Sequence, residues 1–301
     1  MKNSCDVLLF GDYFCDLIVT GLPEVPRLGA DLFGSGMGIN AGGVYIVAVA
    51  LKRLGVDVHW AARLGNDLFS RFVLEQSRLE GLNENLYCHL DRPLVAMSVA
   101  FSFSVDRGFI SYMDPRPEYD YQAMIAEQRP KWVYNLPFDG SPASLELVHF
   151  IHRHGGRVFT DCQYVDYSLE EAGLQQMLGA IDIFAPNRSE AERLTGLADP
   201  REAAACLARI CPLVIVKDGP HGAYAQAGER TWHAPALDVS VVDTTGAGDS
   251  FNSGFLAAML RGEPIETCLR YGNICGGLCV TKCGGASAAP SMAELQAYLS
   301  L

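Results

Sequence analysis

DVSVVDTTGAGDSFNSGFLAAMLRG, residues Asp238 to Gly262, is the most informative stretch of the 301-residue sequence. A short apolar run from Val239 to Asp243 predicts a strand, and after two threonines Gly246-Ala247-Gly248 opens a helix with Asp249 in its first turn. Side chains this small leave backbone N–H groups uncovered, and a helix N-terminus adds unpaired donors and the positive end of the helix dipole. We therefore expect an anion to bind at this turn.

Asp249 gives this turn a possible chemical role, because a carboxylate beside a bound phosphate can act as a base. It could take the proton from a hydroxyl that attacks the phosphorus. In phosphoryl transfer the protein mainly positions the reactants and stabilises charge, so one base and one set of N–H donors meet most of the requirement. Aspartate is also common as a helix cap. Taken alone, the segment fits both roles.

Asp243-Thr244-Thr245-Gly246-Ala247-Gly248-Asp249 resembles the signature Asp-Thr-x-Gly-Ala-Gly-Asp of the ribokinase-like, or PfkB, family of carbohydrate kinases. It matches that signature at every fixed position. The resemblance implies an ATP-dependent sugar kinase that transfers the γ-phosphoryl group of ATP to a hydroxymethyl group of a small sugar. It implies Asp249 as catalytic base, the backbone of Gly246, Ala247 and Gly248 as anion hole, and ATP, Mg²⁺ and a monovalent cation such as K⁺ as cofactors.

Substrate landmarks of the family occur in the N-terminal part of the chain. Gly11 followed by Asp16 resembles the family's opening strand, whose aspartate binds substrate hydroxyls, and a carboxylate can accept two such hydrogen bonds. Gly42-Gly43 before VAVALKRLG is similar to the first signature, in which paired glycines let the backbone approach the sugar closely. A turn at a helix start is the alternative for these glycines. Asp12 and Asp161 complete the predicted substrate-binding residues.

Pro186-Asn187-Arg188-Ser189-Glu190 resembles the family's Asn-x-x-Glu motif. Asn187 and Glu190 are three residues apart in the first turn of a predicted helix, so both can face one site. Mg²⁺ is often held through water by such oxygen groups beside phosphates. We therefore expect both to serve the metal, and Asn187 also the nucleotide. A helix cap closed by a capping box is the alternative.

Lys217-Asp218-Gly219-Pro220-His221-Gly222 follows an apolar strand and resembles the nucleotide-side loop of the family, where a glycine turn lies against ATP. The resemblance makes Lys217, Gly219 and Gly222 candidates for nucleotide binding. Lys217 could reach a phosphate as a point charge, with an ordinary surface lysine as the alternative. Asn273 lies in the region that borders adenine in relatives.

Two departures from the family pattern concern the acceptor. Ile46 stands where many relatives have an Asn that reaches the sugar, so one polar contact is missing. After RVFT the chain reads Asp161-Cys162-Gln163-Tyr164, where several branches have Asp-Pro-Asn, so only Asp161 is retained. Both changes leave the identity of the substrate open and the phosphoryl-transfer end intact.

Short apolar runs alternate with helix-like stretches along the chain, which predicts a mostly parallel sheet covered on both faces. The resemblance implies a ribokinase-like three-layer α/β sandwich. The expected strands are 6–11, 56–62, 132–136, 157–161, 182–187 and 213–218. The expected helices are 44–54, 144–154, 189–195, 201–210, 247–261, 264–281 and 291–299.

Two segments, about 14–36 and 93–115, lack a helical pattern. The run SVAFSFSV, a turn at Asp106-Arg107-Gly108 and the run FISYM predict a β-hairpin with one apolar face. We expect a small separate sheet that forms a lid, with an edge of the main sheet as the alternative. Because motifs along most of the chain must meet at one cleft, we expect a single kinase domain over 1–301. Exposed sheet edges and an apolar face make a homodimer through the lid plausible.

Composition excludes several classes of partner. The 23 Lys+Arg and 35 Asp+Glu residues give a net charge of −12, and no basic stripe for nucleic acid is present. The longest apolar run, Val44 to Leu51, is far short of the roughly 20 residues of a membrane span. No secretory signal pattern occurs, so we expect a cytoplasmic protein.

The ten cysteines are scattered along the chain. Cys275, Cys279 and Cys283 share one helix face, which could hold a soft metal or pack as small apolar side chains in the core.

Other functions remain as alternatives. The P-loop pattern of other kinases is absent, and Gly34-Ser35-Gly36-Met37-Gly38 does not follow the first strand as a dehydrogenase fingerprint should. A non-catalytic sugar or nucleoside binder is suggested by Ile46, but a sensor has no use for a base at Asp249. A nucleoside acceptor is suggested by aromatic residues that could stack a base or form the lid core. These are Tyr13, Phe14, Phe101, Phe103, Phe109 and Tyr112.

Overall fold

The computed structural model describes residues 4–102, 107–162 and 168–300. In chain order its strands are β1 (Val7–Phe10), β2 (Tyr13–Thr20), β3 (Gly36–Gly43), β4 (Val58–Ala61), β5 (Arg63–Leu64), β6 (Cys88–His89), β7 (Ala96–Ser102), β8 (Arg107–Met113), β9 (Trp132–Tyr134), β10 (Arg157–Thr160), β11 (Ile183–Phe184), β12 (Leu213–Lys217), β13 (Ala223–Ala227) and β14 (Arg230–Ala234).

The helices of the same residues, in chain order, are α1 (Val44–Arg53), α2 (Leu68–Leu79), α3 (Tyr121–Gln128), α4 (Pro142–Arg153), α5 (Ala172–Ala180), α6 (Arg188–Thr195), α7 (Pro200–Leu207), α8 (Ala247–Leu260), α9 (Ile265–Cys279), α10 (Gly285–Ala288) and α11 (Met292–Leu299). A short 3₁₀ helix covers Gly219–His221. No helix in this part of the chain is long and apolar enough to span a membrane.

The main sheet has the strand order β14-β13-β12-β11-β10-β9-β1-β4. The strands from β12 to β4 run parallel, and β13 and β14 add an antiparallel edge. Neighbouring residues of a strand point to opposite faces, and both faces are buried. Leu9 packs with α1 and α8, whereas Leu8 packs with α4 and α5. The predicted three-layer α/β sandwich with a mostly parallel sheet is confirmed.

The strand predicted over Val239 to Asp243 is wrong. The last strand of the sheet is β14, and residues 235–243 have no strand conformation. Backbone N–H groups of Val242 and Asp243 donate to the Val280 carbonyl after α9, at 2.7 and 3.2 Å, instead of to a neighbouring strand. The side chain of Val241 is 62% exposed, so the apolar run reflects a surface segment beside the cavity described below.

A second, smaller sheet has the order β3-β2-β7-β8, separate from the main sheet. The predicted hairpin forms β7 and β8, which pair with each other, and β7 also pairs with β2 and not with the main sheet. The predicted turn is partly wrong, because Arg107 and Gly108 belong to β8; Asp106 lies outside the described residues. The sheet also takes in Gly36–Gly43, beyond the predicted segment 14–36.

The register of the small sheet aligns four polar residues on one face, which we call the polar row. They are Asn40, Asp16, Ser98 and Ser111, one from each strand. The opposite face carries exposed apolar side chains: Met37 is 76%, Ile110 64% and Tyr112 56% exposed. The expectation of one apolar face is therefore correct, but in β7 the better buried residues are Ala96, Ser98 and Ala100.

Several elements were not expected from the sequence, namely α2, α3, α5, α10, β13 and β14. The ten cysteines are all free. Cys275 and Cys279 are buried and Cys283 is exposed, and the described residues contain no group of three or more His, Cys, Asp or Glu side chains that could hold a metal. The packing alternative for these cysteines is therefore the better account.

Candidate active site

The N-terminal turn of α8 opens into a cavity of about 810 Å³. Gly246 precedes the helix with φ 74°, a left-handed conformation that glycine adopts without strain, and no side chain caps this end of α8. Gly246, Ala247 and Gly248 line the cavity. We call this turn the candidate anion hole, because its uncapped N–H groups and helix dipole suit a negative ligand.

Asp249 lines the same cavity, partly buried in the first turn of α8. Burial and, to a smaller extent, the charge of Asp161 together raise the pKa of Asp249 to about 7, with Lys217 acting in the opposite direction. The carboxylate thus titrates near neutral pH, where a general base accepts a proton most effectively. No side-chain cap is present at the start of α8, so the capping alternative for Asp249 is not what the structure shows.

Lys217 and Asp161 form an ion pair on the wall of the cavity. Lys217 Nζ donates to Asp161 Oδ1 at 2.8 Å, and Asn252 Nδ2 donates to Asp161 Oδ2 at 2.7 Å. Tyr134 OH accepts from the same amide group at 3.0 Å. Lys217 is therefore a held side chain at the end of β12 and not a free surface lysine. Asp161, predicted to bind substrate, lies among the candidate phosphate-binding residues.

Asn252 was missed in the sequence, although the signal was available. It lies three residues after Asp249 on α8, a spacing that puts both on one face of a helix. It is fully buried and orients Asp161.

Asn187 and Glu190 line the cavity at the start of α6. They form the capping box given above as the alternative: the Glu190 N–H donates to Asn187 Oδ1 at 2.9 Å, and the Asn187 N–H donates to Glu190 Oε2 at 2.7 Å. Burial raises the pKa of Glu190, and nearby Asp161 adds to the rise. The capping box does not exclude metal binding by the same residues. The carboxylates that line the cavity repel one another, and a cation would reduce that repulsion. The donor set fits Mg²⁺, which prefers carboxylate oxygens and keeps waters.

Gly219, Gly222 and Asn273 line the outer part of the cavity. Gly222 is packed so closely on the chain at Ala234 to Ala236 that a Cβ would clash there. Asn273 Nδ2 donates to the carbonyls of Ala234 and Pro235, at 2.8 and 3.0 Å, and so fixes the chain after β14. The exposed side chain of Val241 lines the same cavity.

Asp16 lies apart from the residues that line the large cavity, in the polar row of the small sheet. Ser98 Oγ donates to Asp16 Oδ1. A Cβ built on Gly42 would overlap the Asp16 carboxylate, so the glycine allows the carboxylate to lie directly against the backbone. Gly43 precedes α1, and a Cβ built on it would lie 2.6 Å from the Asp12 carbonyl oxygen. The structure therefore brings Asp16, Gly42 and Gly43 together.

Asp12 is held in a cluster of charges at the base of the small sheet. Arg63 binds both of its oxygens, at 3.1 and 2.5 Å, and Arg116 Nε lies 3.3 Å from Oδ1. Arg63 also lies over the ring of Tyr119. Neither arginine was singled out in the sequence, where no local pattern distinguishes them.

Ile46 is buried in α1 and packs beneath the candidate anion hole. A Cβ on Gly246 would lie 3.2 Å from Ile46 Cγ2, and one on Gly285 would lie 2.7 Å from Ile46 Cδ1. Its side chain therefore fills the space behind two backbone segments.

The aromatic residues of the small sheet divide between its faces. Phe14 and Phe109 share the face of the polar row, whereas Phe101 and Tyr112 lie on the opposite face. Tyr13 is a core residue, with its hydroxyl donating to the Leu94 carbonyl at 2.9 Å. Phe103, Gln163 and Tyr164 lie outside the described residues.

The family model for pfkB family carbohydrate kinases matches residues 33–292 of this chain. The chain belongs to the pfkB family. Similar curated proteins include the ribokinase of Haemophilus influenzae, 26% identical with 99% of each chain covered. The 5-dehydro-2-deoxygluconokinase of Halalkalibacterium halodurans is 28% identical, with 84% of this chain and 83% of the relative covered. The pfkB chain is thus a carbohydrate kinase, a phosphotransferase with an alcohol group as acceptor.

Solved structures with the same fold include Arabidopsis thaliana ribokinase complexed with ribose and ATP, with a TM-score of 0.81, 22% identity and 99% of each chain covered. The nucleoside kinase of Methanocaldococcus jannaschii has a TM-score of 0.79 at 18% identity, covering 100% of this chain and 99% of that one. A putative ribokinase II of E. coli with ATP and Mg²⁺ has a TM-score of 0.79 at 21% identity, covering 98% and 99%. These neighbours establish the ribokinase-like fold of the pfkB chain.

Proposed function

We propose that this protein transfers the γ-phosphoryl group of ATP to a hydroxymethyl group of a small sugar. The observation that carries the proposal is the uncapped N-terminus of α8, which opens into the large cavity with Asp249 in its first turn. Such a turn supplies N–H donors for the transferred group, and Asp249 supplies a base for the acceptor hydroxyl.

The proposed mechanism divides the work between two sides of the cleft. Asp16 orients the acceptor through its hydroxyls, with Gly42 and Gly43 allowing close approach. Asp249 takes the proton from the attacking hydroxyl, while Gly246, Ala247 and Gly248 donate to the transferring phosphoryl group. Closure of the small sheet as a lid over one kinase domain of residues 1–301 excludes water, which would otherwise compete as acceptor.

On the nucleotide side, Lys217 is the cation that faces the phosphates, held by Asp161. Gly219, Gly222 and Asn273 border the rest of the nucleotide. Glu190 and Asn187 would hold Mg²⁺ through its waters, and the metal would neutralise phosphate charge when bound. The positive charges of Lys217 and Mg²⁺ would thus allow a cavity rich in carboxylates to bind the negatively charged phosphates.

A monovalent cation such as K⁺ is part of the proposal. Asp243 lies at the loop before the candidate anion hole and receives N–H bonds from Thr245 at 2.9 Å and Gly284 at 3.0 Å. A cation bound beside this loop would hold the loop, and with it the candidate anion hole, in place. We expect kcat to rise at least about threefold when K⁺ replaces tetramethylammonium as the salt cation, and an unchanged kcat would remove K⁺ from the proposal.

The test is an ADP-release assay with Mg·ATP and a panel of D-ribose, D-fructose, 5-dehydro-2-deoxy-D-gluconate and adenosine, comparing wild type with Asp249→Asn. We expect acceptor-dependent ADP release that falls by about 10²–10⁴-fold in the variant, the range for loss of a general base. Chelation of Mg²⁺ should abolish turnover. Equal and negligible turnover in both proteins, with tight sugar binding retained, would support the non-catalytic binder instead.

A nucleoside is the second candidate acceptor. Phe14 lies two residues before Asp16 on the same face, and Phe109 lies on that face too, so a base could stack beside the hydroxyl-binding carboxylate. The nucleoside kinase with the same fold supports this alternative. Turnover of adenosine with a kcat/KM above that of every sugar in the panel would decide for it.

We also propose a homodimer through the apolar face of the small sheet. Met37, Ile110 and Tyr112 lie exposed on one continuous face. Such patches mark association sites. Light scattering should give a dimer mass for wild type and a monomer mass for Ile110→Glu. The ten free thiols fit a reducing compartment, and we therefore propose a cytoplasmic location, which cell fractionation tests.

A further inference from the structure

Gly284 and Gly285 form a segment that touches both sides of the cleft. Gly284 has φ 86°, and Gly285 begins α10. Both residues are buried. We call these two residues the Gly284-Gly285 segment.

On the phosphate side, the Gly284-Gly285 segment lies against the candidate anion hole. A Cβ on Gly246 would come within 2.7 Å of Gly285 Cα, closer than side chains approach their neighbours, so the two backbones are in direct contact. Ile46 fills the space behind them, with Cδ1 on Gly285 and Cγ2 on Gly246. Interiors packed this tightly transmit small displacements.

Polar contacts of two side chains strengthen the same junction. Asp243 accepts the N–H of Gly284 with Oδ2 at 3.0 Å and the N–H of Thr245 with Oδ1 at 2.9 Å. Cys279 Sγ lies 3.5 Å from the Thr245 carbonyl oxygen and 3.6 Å from that of Gly285. The loop before α8 and the Gly284-Gly285 segment are therefore joined by backbone contact and by two shared side chains.

On the acceptor side, the segment touches Asn40 of β3. A Cβ on Gly284 would lie 2.7 Å from Asn40 Nδ2 and 3.1 Å from Asn40 Cγ, so the amide group packs directly on the glycine backbone. Asn40 is also the cross-strand partner of Asp16 in the polar row. If β2 and β3 move together, Asp16 on β2 is displaced and Asn40 on β3 is pushed against the Gly284-Gly285 segment.

We propose that the Gly284-Gly285 segment couples the small sheet to the candidate anion hole, with Asn40 and Ile46 as the positioning residues on its two sides. The inference rests on the proposed function, because it gives the coupling a use: acceptor and nucleotide sites are set together. Neither residue touches the reacting atoms in this account. Ligands at one site shift the other only through a contact that differs between two states, and the proposal assigns that role to this junction.

Hydrogen exchange with Mg·AMP-PNP tests the coupling without knowledge of the acceptor. In wild type we expect the nucleotide analogue to slow exchange at residues 244–252 and also, by at least about threefold, at residues 36–43. Ile46→Val removes only the Cδ1 methyl that lies on Gly285, and Asn40→Ala removes the amide on Gly284. In each variant, slowing at 36–43 should be lost, while slowing at 244–252 is kept.

Matched controls separate coupling from loss of stability. Val49→Ala removes more buried volume from helix α1 than Ile46→Val does. Asn83→Ala removes a half-buried amide at a position distant in sequence from Asn40. Both should respond as wild type does.

The outcomes distinguish the two proposals. No protection at 244–252 in wild type overturns the proposed nucleotide site and the inference with it. Protection at 244–252 without protection at 36–43, or unchanged protection at 36–43 in both variants, overturns the coupling alone.

Discussion

In the large cavity, Lys217 is the one cation among the described lining residues, and it faces the carboxylates of Asp161, Glu190, Asp238 and Asp249. At the base of the small sheet the balance is reversed, because Asp12 has both Arg63 and Arg116 within ion-pair distance. In the first group, burial raises the pKa values of Glu190 and Asp249, so a bound metal ion would stabilise their charged forms. The second is already satisfied by the protein. Carboxylates of one chain thus differ in whether their charge is available for a ligand.

This difference predicts which substitutions affect stability and which affect activity. Removing a compensated carboxylate leaves buried cations without a partner, whereas neutralising an uncompensated one relieves repulsion.

Asp12→Ala is expected to give the largest change in stability. Arg116 is 4% exposed and would lose its carboxylate partner, so the free energy of unfolding should fall by about 4 kcal/mol. Urea unfolding measures it. Asp6→Ala is the control, since its partner Lys131 is 67% exposed and such a pair is worth about 1 kcal/mol or less. Equal losses of stability in the two variants would contradict the expected difference between the buried and the exposed ion pair. A rise in acceptor KM without a loss of stability would favour substrate binding by Asp12 instead.

Asp249→Asn is expected to stabilise the protein at pH 8. Folded Asp249 has a pKa of about 7 against 3.8 for the ordinary group, so unfolding releases a proton between these values and stability falls as pH rises through that window. Removing the charge should raise the free energy of unfolding at pH 8 by about 3 kcal/mol and change it little at pH 4. Asp238→Asn, which changes an exposed carboxylate in the same cavity, is the control and should leave the free energy of unfolding at pH 8 nearly unchanged. A destabilised Asp249→Asn at pH 8 contradicts the comparison.

Asp16→Ala should reduce kcat/KM for the best acceptor by about 100-fold, because two hydrogen bonds to a charged group are lost. Melting temperature should be nearly unchanged. Asp31→Asn, an exposed carboxylate in the loop between β2 and β3, should retain wild-type kinetics. If the Asp16 variant keeps its acceptor KM and kcat, the acceptor site lies elsewhere.

The smallest expected effect is on the pH profile of Asp161→Asn. In wild type, kcat/KM should fall below about pH 7 as Asp249 gains a proton. Removing the charge of Asp161 takes away one cause of the raised pKa of Asp249, so the acidic limb should move to lower pH by about one unit. Glu146→Gln, on the surface, leaves the limb in place. A limb that moves to higher pH would show that Asp161 acts mainly by holding Lys217.

Much of the cavity end could be predicted from the sequence because its determinants are local. The small residues from Gly246 to Gly248, the Asn187 to Glu190 spacing and the helix after each are properties of short segments. The strand predicted just before them was wrong for a physical reason: an apolar run becomes a strand only with a partner, and Val242 bonds to the end of α9 instead.

The acceptor end could be predicted only in outline. A hairpin and a polar residue at Asp16 were visible, but the alignment of Asn40 with Asp16 depends on the register between β2 and β3. Likewise, the ion pairs of Asp12 could not be predicted, because Arg63 and Arg116 come from distant parts of the chain. Ile46 could be seen as a departure from the family pattern, but its contact with Gly246 and Gly285 required the fold.

A crystal structure of the protein with Mg·AMP-PNP and the best acceptor of the panel tests the central claim most directly. The account predicts γ-phosphate oxygens within hydrogen-bond distance of the N–H groups at Gly246 to Gly248, and the acceptor hydroxyl about 2.6–3.2 Å from the Asp249 carboxylate. A nucleotide bound away from the start of α8, or an acceptor whose hydroxyl faces another base, would contradict it.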